Sequence, residues 1–140
     1  FDPSNSFGYA ALIDKDAFER FESAKNQATA EGGKIVFGVR VGAGNKEAYL
    51  VQPALALMPK QTGIMHKETF APLLFIAPYT EFTEALSMLN APENSGLVGA
   101  IYTLSQSEAD QFAAHCQAGH ALIDPPKGTG TRAHGMGFGG

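Results

Sequence analysis

The chain has 140 residues, 44% of them hydrophobic and 17% charged, with a formal net charge of −4. That length suits one domain with a real core, and the acidic balance excludes an electrostatic nucleic-acid or membrane partner. No apolar run approaches the ~20 residues of a membrane helix, no secretory signal is visible, and the lone Cys116 excludes an internal disulfide framework, which fits a reducing compartment.

Residues 1–13 read as an opening loop and a short extended piece ending in Ala10-Ala11-Leu12-Ile13. Asp14 to Glu31 reads as a helix. Asp16 with Glu19 offers a capping box and Asp14 is a second cap candidate, while Phe18, Phe21, Ala24 and Ala28 fall near one stripe at helical spacing. Gly32-Gly33 ends this helix, and Lys34 to Gly38 follows as a short strand. Gly42 and Gly44 mark a turn within 41–46. Tyr49-Leu50-Val51 and Ala54 to Leu57 read as short strands split at Pro53.

Next comes Ile64 to Ile76, a charged segment with His66, Lys67 and Glu68 that turns at Pro72 into an apolar run. Proline has no N–H and disfavours helix just before it. Leu73 to Ala77 therefore reads as a strand buried on both faces, as in a parallel sheet covered by helices. Thr80 or Glu81 to Leu89 is a second helix, with Phe82, Ala85, Leu86 and Leu89 at i, i+3, i+4 and i+7, closed by Asn90, Pro92 and Asn94. Leu97 to Thr103 is a strand, and Ser105 with Glu108 is a capping box opening a third helix through Cys116. His120 to Asp124 is a last strand, stopped by Pro125-Pro126, and the glycine-rich tail from Lys127 is loop. Strand, helix, strand, helix, strand with short connections predicts an α/β fold, a mostly parallel twisted sheet with flanking helices. Both ends have the composition of loops rather than natural termini, so we expect a piece of a longer polypeptide.

Few residues suggest chemistry. Glu68 is either a solvated loop carboxylate or an acceptor for the hydroxyls of a sugar, which suits a ribose. Cys116 lies on the apolar face of a helix, where a thiol is packing rather than a nucleophile. His66, His115, His120 and His134 have no metal-type spacing, so no metal site is expected. Gly128-Thr129-Gly130-Thr131 is not a dinucleotide or phosphate fingerprint, although exposed backbone N–H groups in such a loop can hold an anion. These residues contain no complete catalytic set.

Five motifs in order carry a resemblance. Ala48-Tyr49-Leu50-Val51-Gln52-Pro53 resembles a Gly-Tyr-Phe-x-x-Pro strand. Met65 to Pro72, with Glu68-Thr69-Phe70-Ala71-Pro72, resembles a Glu-x-Phe-Gly-Pro segment. Ser95 to Thr103 resembles Tyr-Gly-Leu-x-x-x-Val-Phe-Thr. Ala118-Gly119 with Leu122-Ile123-Asp124 resembles Ala-Gly-x-x-x-(Ile/Val)-Asn, and Gly137-Phe138-Gly139-Gly140 resembles Pro-Phe-Gly-Gly. All are signatures of the aldehyde dehydrogenase superfamily, and the likeness covers essentially the whole chain. Three positions depart from it: Ala71 for glycine, Gly137 for proline and Asp124 for asparagine.

The resemblance implies the C-terminal part of a catalytic domain that oxidises an aldehyde to the acid with NAD or NADP through a cysteine thioester. It implies that Glu68 binds the nicotinamide ribose, that Phe70 packs beside the nicotinamide and that Leu97 lies near the cofactor. Phe138 would line the aldehyde pocket. The nucleophile, the general base and the cofactor domain would precede residue 1 and the oligomerisation tail would follow Gly140, so no catalytic residue is expected within the chain and the chain alone should be inactive. The full-length protein would be a homo-oligomer, cytoplasmic or in the mitochondrial matrix of a eukaryote.

Tyr9 to Phe18, Met65-His66-Lys67-Glu68 and Lys127 to Thr131 lean towards the glutamate-semialdehyde (1-pyrroline-5-carboxylate) dehydrogenase branch, which implies proline catabolism. There Gly130 and Thr131 would help hold the substrate carboxylate. Glu68 to Pro72 is closer to the aminoadipic-semialdehyde branch; both branches oxidise amino-acid-derived semialdehydes. The alternatives are a non-catalytic relative kept as a binding or structural module, and an independent small α/β binding domain.

Overall fold

The computed structural model describes residues 11–38, 49–94 and 96–124. The predicted turn at 41–46, the glycine-rich tail and the candidate residues Gly130, Thr131 and Phe138 lie outside the described residues. The chain divides into two compact units, Phe1–Pro78 and Tyr79–Gly140. Helices and strands alternate within an α/β architecture, and most strand pairings are parallel.

In the first unit, helix α1 (Lys15–Ala30) starts at Asp14, whose extended backbone and Oδ1, 2.7 Å from Ala17 N, make it the cap. Asp16 lies inside the first turn, where its charge faces the positive helix end, so the alternative Asp16–Glu19 box does not form. Ala17, Phe21, Ala24 and Ala28 form the buried stripe, while Phe18 is only half-buried at its edge. The helix stops as its glycines dictate. Gly32 takes a φ of 89° and donates to Thr29 O at 3.1 Å, and Gly33 donates to Ala28 O at 2.8 Å. This is the paired bonding of a Schellman ending, with the left-handed residue a glycine that has no Cβ to clash.

Strands β1 (Lys34–Phe37), β2 (Ala54–Leu57) and β3 (Leu73–Ile76) form a three-stranded sheet in that order. β1 runs antiparallel to β2 with an irregularity between Ile35 and Phe37, and β3 runs parallel to β2 with Ala54 opposite Leu73 and Leu57 opposite Ile76. The face bearing Ala54, Ala56, Leu73 and Phe75 meets α1. One cluster joins Ala24, Ala28, Ala56, Met58 and Ile64, and a second joins Phe21, Val51 and Ala54. Of the predicted strand at 49–51, only Val51 forms an isolated bridge, because Pro53 interrupts the ladder before β2.

β3 departs from its predicted burial. Leu73 and Phe75 pack inwards, but Leu74 and Ile76 are 61% and 44% exposed, as is Leu57 beside Ile76 at 41%. α1 covers one side of this sheet, and side chains alternate between faces along a strand, so one face of an apolar run stays open in this chain.

A second connection ties α1 to the segment ahead of β3. Ile64 is the second residue of a 3-10 helix (Gly63–His66), and its N–H donates to Glu31 Oε2 at 3.1 Å. Gln27 Nε2 donates to Glu31 Oε1 at 2.7 Å. Thr62 occupies the cap position but makes no side-chain cap bond, and its buried hydroxyl meets no strict hydrogen-bond geometry. That hydroxyl nonetheless lies close enough to be the largest influence holding the Glu31 carboxyl below its ordinary 4.5, ahead of the Gln27 and Ile64 bonds. Each stabilises the ionised form.

In the second unit, helix α2 (Phe82–Leu89), strand β4 (Val98–Ile101), helix α3 (Gln106–His115) and strand β5 (His120–Ile123) follow in order, and β4 pairs parallel with β5. α3 is the crossover between those two strands. Ser105 Oγ accepts from Glu108 N at 3.3 Å, as predicted. The Glu108 carboxylate does not reach back to the Ser105 N–H; it accepts from the Thr103 hydroxyl, which itself accepts from Ser105 N at 3.0 Å. A hydroxyl thus relays the second half of the box. Leu86, Ile101 and Phe112 form this unit's core, with Leu89 and Cys116 against it. Within the first unit β3 pairs with β2, and within the second β4 pairs with β5.

Two outcomes test these local assignments. Asp14→Ala should lower stability by about 1 kcal/mol while Asp16→Ala should not, read as chemical denaturation midpoints. Because the folded Glu31 pKa is depressed, its stabilising effect is complete above the unfolded value and lost as pH falls through the folded one. The gap in melting temperature between the native protein and Glu31→Gln should therefore shrink below about pH 4.5, the ordinary carboxyl value from which that loss begins.

Candidate functional site

Between the 3-10 helix and β3 the chain runs Lys67-Glu68-Thr69-Phe70-Ala71-Pro72 in extended and turning conformations. Its downstream end is pinned. Pro72 O accepts from Ala54 N at 2.8 Å, which makes the proline the first rung of the β2–β3 ladder without using the N–H that it lacks. Ala71 packs against the Phe21, Val51 and Ala54 cluster. Its upstream end is pinned by Lys67 N, 3.1 Å from Ile64 O, and by the burial of Ile64.

Between these anchors Phe70 has a φ of 51°, and its side chain is 77% exposed. A left-handed conformation costs a residue with a Cβ about 1–2 kcal/mol. A bulky apolar side chain held in that conformation and turned outwards does not contribute to the core, which makes it a candidate for function.

Glu68 is exposed and borders a depression of about 240 Å³. Its other walls are Arg20, Ser23, Ala24 and Gln27 from α1, with Ile64, Lys67 and Thr69 from the loop. Arg20, Ala24 and Gln27 are spaced i, i+4 and i+7, so one stripe of α1 faces the loop beside the stripe that faces the sheet. Arg20, Lys67 and Glu68 all line this depression, two cationic side chains and one carboxylate. Sequence reasoning named Glu68 and missed Arg20 and Gln27. The helical stripe that holds them was visible, but the loop it faces was not. Such a site offers carboxylate acceptors and cationic donors to a polar ligand, with an exposed aromatic face nearby along the chain.

Leu97 lies in the second unit, immediately before β4, and is 38% exposed. The residue ahead of it, Gly96, has a φ of 67°, and Leu97 O accepts from His120 N at 3.1 Å. At the far end of the same strand pair Asp124 has a φ of 44°, with Oδ1 accepting from Thr103 N at 3.0 Å. Asparagine and aspartate both tolerate that conformation, and a carboxylate oxygen accepts this bond as an amide oxygen would. Cys116 caps α3 and packs on the Leu86, Ile101 and Phe112 core, with Gly99 so close that a Cβ there would sit 2.8 Å from Sγ. This is the packing role read from the sequence. Among the described residues there is no group of three or more metal-ligating side chains, and no helix is long and apolar enough to cross a membrane.

The aldehyde dehydrogenase family model matches residues 1–140. Lactaldehyde dehydrogenase of Escherichia coli is 35% identical over 121 residues, covering 86% of this chain and 25% of that protein. Alpha-aminoadipic semialdehyde dehydrogenase of Rattus norvegicus is 33% identical over 96 residues, covering 68% of this chain and 17% of that protein. Among solved structures, 1-pyrroline-5-carboxylate dehydrogenase from Thermus with bound NAD superposes with a TM-score of 0.77 at 23% identity, over 93% of this chain and 24% of that one. That likeness speaks to the fold alone. The chain spans about a quarter of the length of these relatives, or less. The motifs around Glu68 and Leu97, the α/β architecture and a match along the whole length agree, and the chain belongs to the aldehyde dehydrogenase family.

Proposed function

We propose that this chain supplies the nicotinamide-ribose edge of an NAD(P)-dependent aldehyde dehydrogenase that oxidises a small aldehyde to its acid through a cysteine thioester. The observation that carries the reading is the Glu68–Phe70 segment. It is fixed at both ends by backbone bonds and exposes a carboxylate and an aromatic ring from one short stretch. The donor chemistry fits the cofactor. An ionised carboxylate is acceptor-only and suits the paired hydroxyls of a ribose, and an exposed aromatic face suits a flat heterocycle. When bound, the nicotinamide accepts the hydride.

Glu68 holds the sugar and Phe70 limits the travel of the ring beside it; the family resemblance adds Leu97 as a further candidate for cofactor binding. The family resemblance adds Gly130 and Thr131 as candidates for holding a substrate carboxylate, and Phe138 as a candidate for aldehyde binding. The nucleophile belongs to the remainder of the full-length protein, and residues 1–140 turn over no aldehyde by themselves. By the same family resemblance the full-length protein would be a homo-oligomer, of the cytoplasm or, in a eukaryote, of the mitochondrial matrix.

For the substrate, the family likeness divides. Relatives named for lactaldehyde and for aminoadipic semialdehyde both match, and the sequence motifs lean towards glutamate semialdehyde. We propose an amino-acid-derived semialdehyde, with lactaldehyde as the competing substrate. Steady-state kcat/KM of the full-length enzyme for glutamate semialdehyde against lactaldehyde decides between them; a preference for lactaldehyde ends the semialdehyde reading.

Two substitutions probe the site. In the full-length enzyme, Glu68→Gln should raise KM for NAD or NADP and lower kcat, a combined loss on the order of tenfold or more in kcat/KM, because a charged acceptor becomes a neutral amide. Unchanged cofactor kinetics would remove Glu68 from the site. Phe70→Gly should be more stable than Phe70→Ala by roughly 1 kcal/mol, since only glycine escapes the left-handed cost, yet both should lose cofactor affinity alike. Denaturation midpoints beside cofactor titrations separate the two effects.

A further inference from the structure

We propose that Glu31 is a positioning residue for Glu68: its carboxylate, at the end of α1, caps the 3-10 helix that leads into the Glu68 loop and so fixes where the cofactor-binding side chain stands. The proposal rests on the ribose-binding reading of Glu68 given above and adds a residue that no motif marks.

The geometry is specific. Glu31 and Ile64 are 33 positions apart, yet Ile64 N reaches Glu31 Oε2 at 3.1 Å. The first N–H groups of a helix lack intrahelical partners, and ordinarily the residue at the cap position accepts from them. Thr62 holds that position here, and its side chain makes no cap bond. Glu31 performs the capping from another element, and a carboxylate at a helix N-terminus is favoured by charge as well as by the bond. Gln27 holds the other Glu31 oxygen at 2.7 Å, so the side chain is oriented from both sides.

From Ile64 the path to Glu68 is short and constrained. Lys67 N bonds Ile64 O at 3.1 Å, and Ile64 itself is buried in the α1–sheet cluster. Gln27, Ile64 and Glu68 all line the one depression. Removing the Glu31 carboxylate frees Ile64 N and loosens the start of the segment whose far end remains pinned at Pro72. The expected consequence is a displaced Glu68, felt in cofactor binding rather than in the chemistry of the aldehyde.

The test uses the full-length enzyme, with NAD and NADP as cofactors. Glu31→Ala should raise the cofactor KM by roughly tenfold while leaving the aldehyde KM within about twofold. Glu31→Gln, which keeps an oxygen for Ile64 N, should recover most of that loss. A purely structural role predicts instead a lower melting temperature and a smaller active fraction with cofactor KM unchanged, and that result overturns the proposal. Should Glu31→Ala not fold, Glu31→Asp, which keeps the charge but shortens the reach to Ile64 N, takes its place; a cofactor KM raised about threefold supports the proposal, and an unchanged one overturns it. Glu68→Gln assayed in parallel separates the two claims. If it leaves cofactor KM unchanged, the ribose reading fails and takes this proposal with it. If Glu68→Gln weakens cofactor binding and Glu31→Ala does not, only the positioning role fails.

Discussion

The close approach of α1 to the inner face of β2 and β3 sets the first unit. Ala24, Ala28, Ala54 and Ala56 are all buried at this contact, and side chains of one carbon let a helix lie near a sheet. Alanines bury little area each, at about 25 cal/mol per Å². The larger Phe21, Met58 and Ile64 therefore supply most of the apolar burial, while the alanines set the spacing. A bulkier residue at Ala28 or Ala56 would push the helix out and take its C-terminus with it. That terminus carries Glu31 and, one turn earlier, Gln27, so the spacing of the core reaches the loop that bears Glu68.

Features with a local cause were legible in the sequence. Asp14 and Ser105 cap because a short acceptor precedes a helical stripe, and Gly32-Gly33 ends α1 because glycine alone enters the left-handed turn freely. The strand positions followed from short apolar runs bounded by breakers. Tertiary features were not legible. Periodicity shows that Leu73 to Ile76 is apolar, not which of its faces finds a helix, and Leu74 and Ile76 remain open in this chain. The alternation of strands and helices pointed to parallel pairing, but not to β2 as the neighbour of β3. The Glu31 cap joins residues 33 positions apart. No window of local pattern contains both partners.

The site divides in the same way. Glu68 was a candidate from the sequence because five residues around it form a signature, and Phe70 came with it. Arg20 and Gln27 were hidden because their significance depends on what α1 faces. The two glutamates of this region show why composition cannot assign roles. Glu31 is engaged by its own chain through Gln27, Ile64 and the nearby Thr62 hydroxyl, which stabilise its charge and occupy its oxygens. Glu68 is exposed at the rim of a depression. A carboxylate already committed to backbone and amide donors serves its own chain; one facing solvent has acceptor capacity for a ligand.

The departures from the family motifs acquire a physical meaning at this point. A glycine in a motif often marks a backbone that must enter the left-handed region, and Ala71 in its place would then signal a damaged segment. Among the described residues the non-glycine positions with positive φ are Phe70 and Asp124, so Ala71 carries no such demand. What its position does require is a side chain small enough to pack under the loop against Phe21, Val51 and Ala54, and one methyl group meets that requirement. Asp124 keeps both properties that asparagine would bring to its left-handed turn, tolerance of the conformation and an oxygen for Thr103 N. Neither substitution removes a group from the Glu68 depression, so neither is by itself a reason to read the chain as a relative that has lost its chemistry.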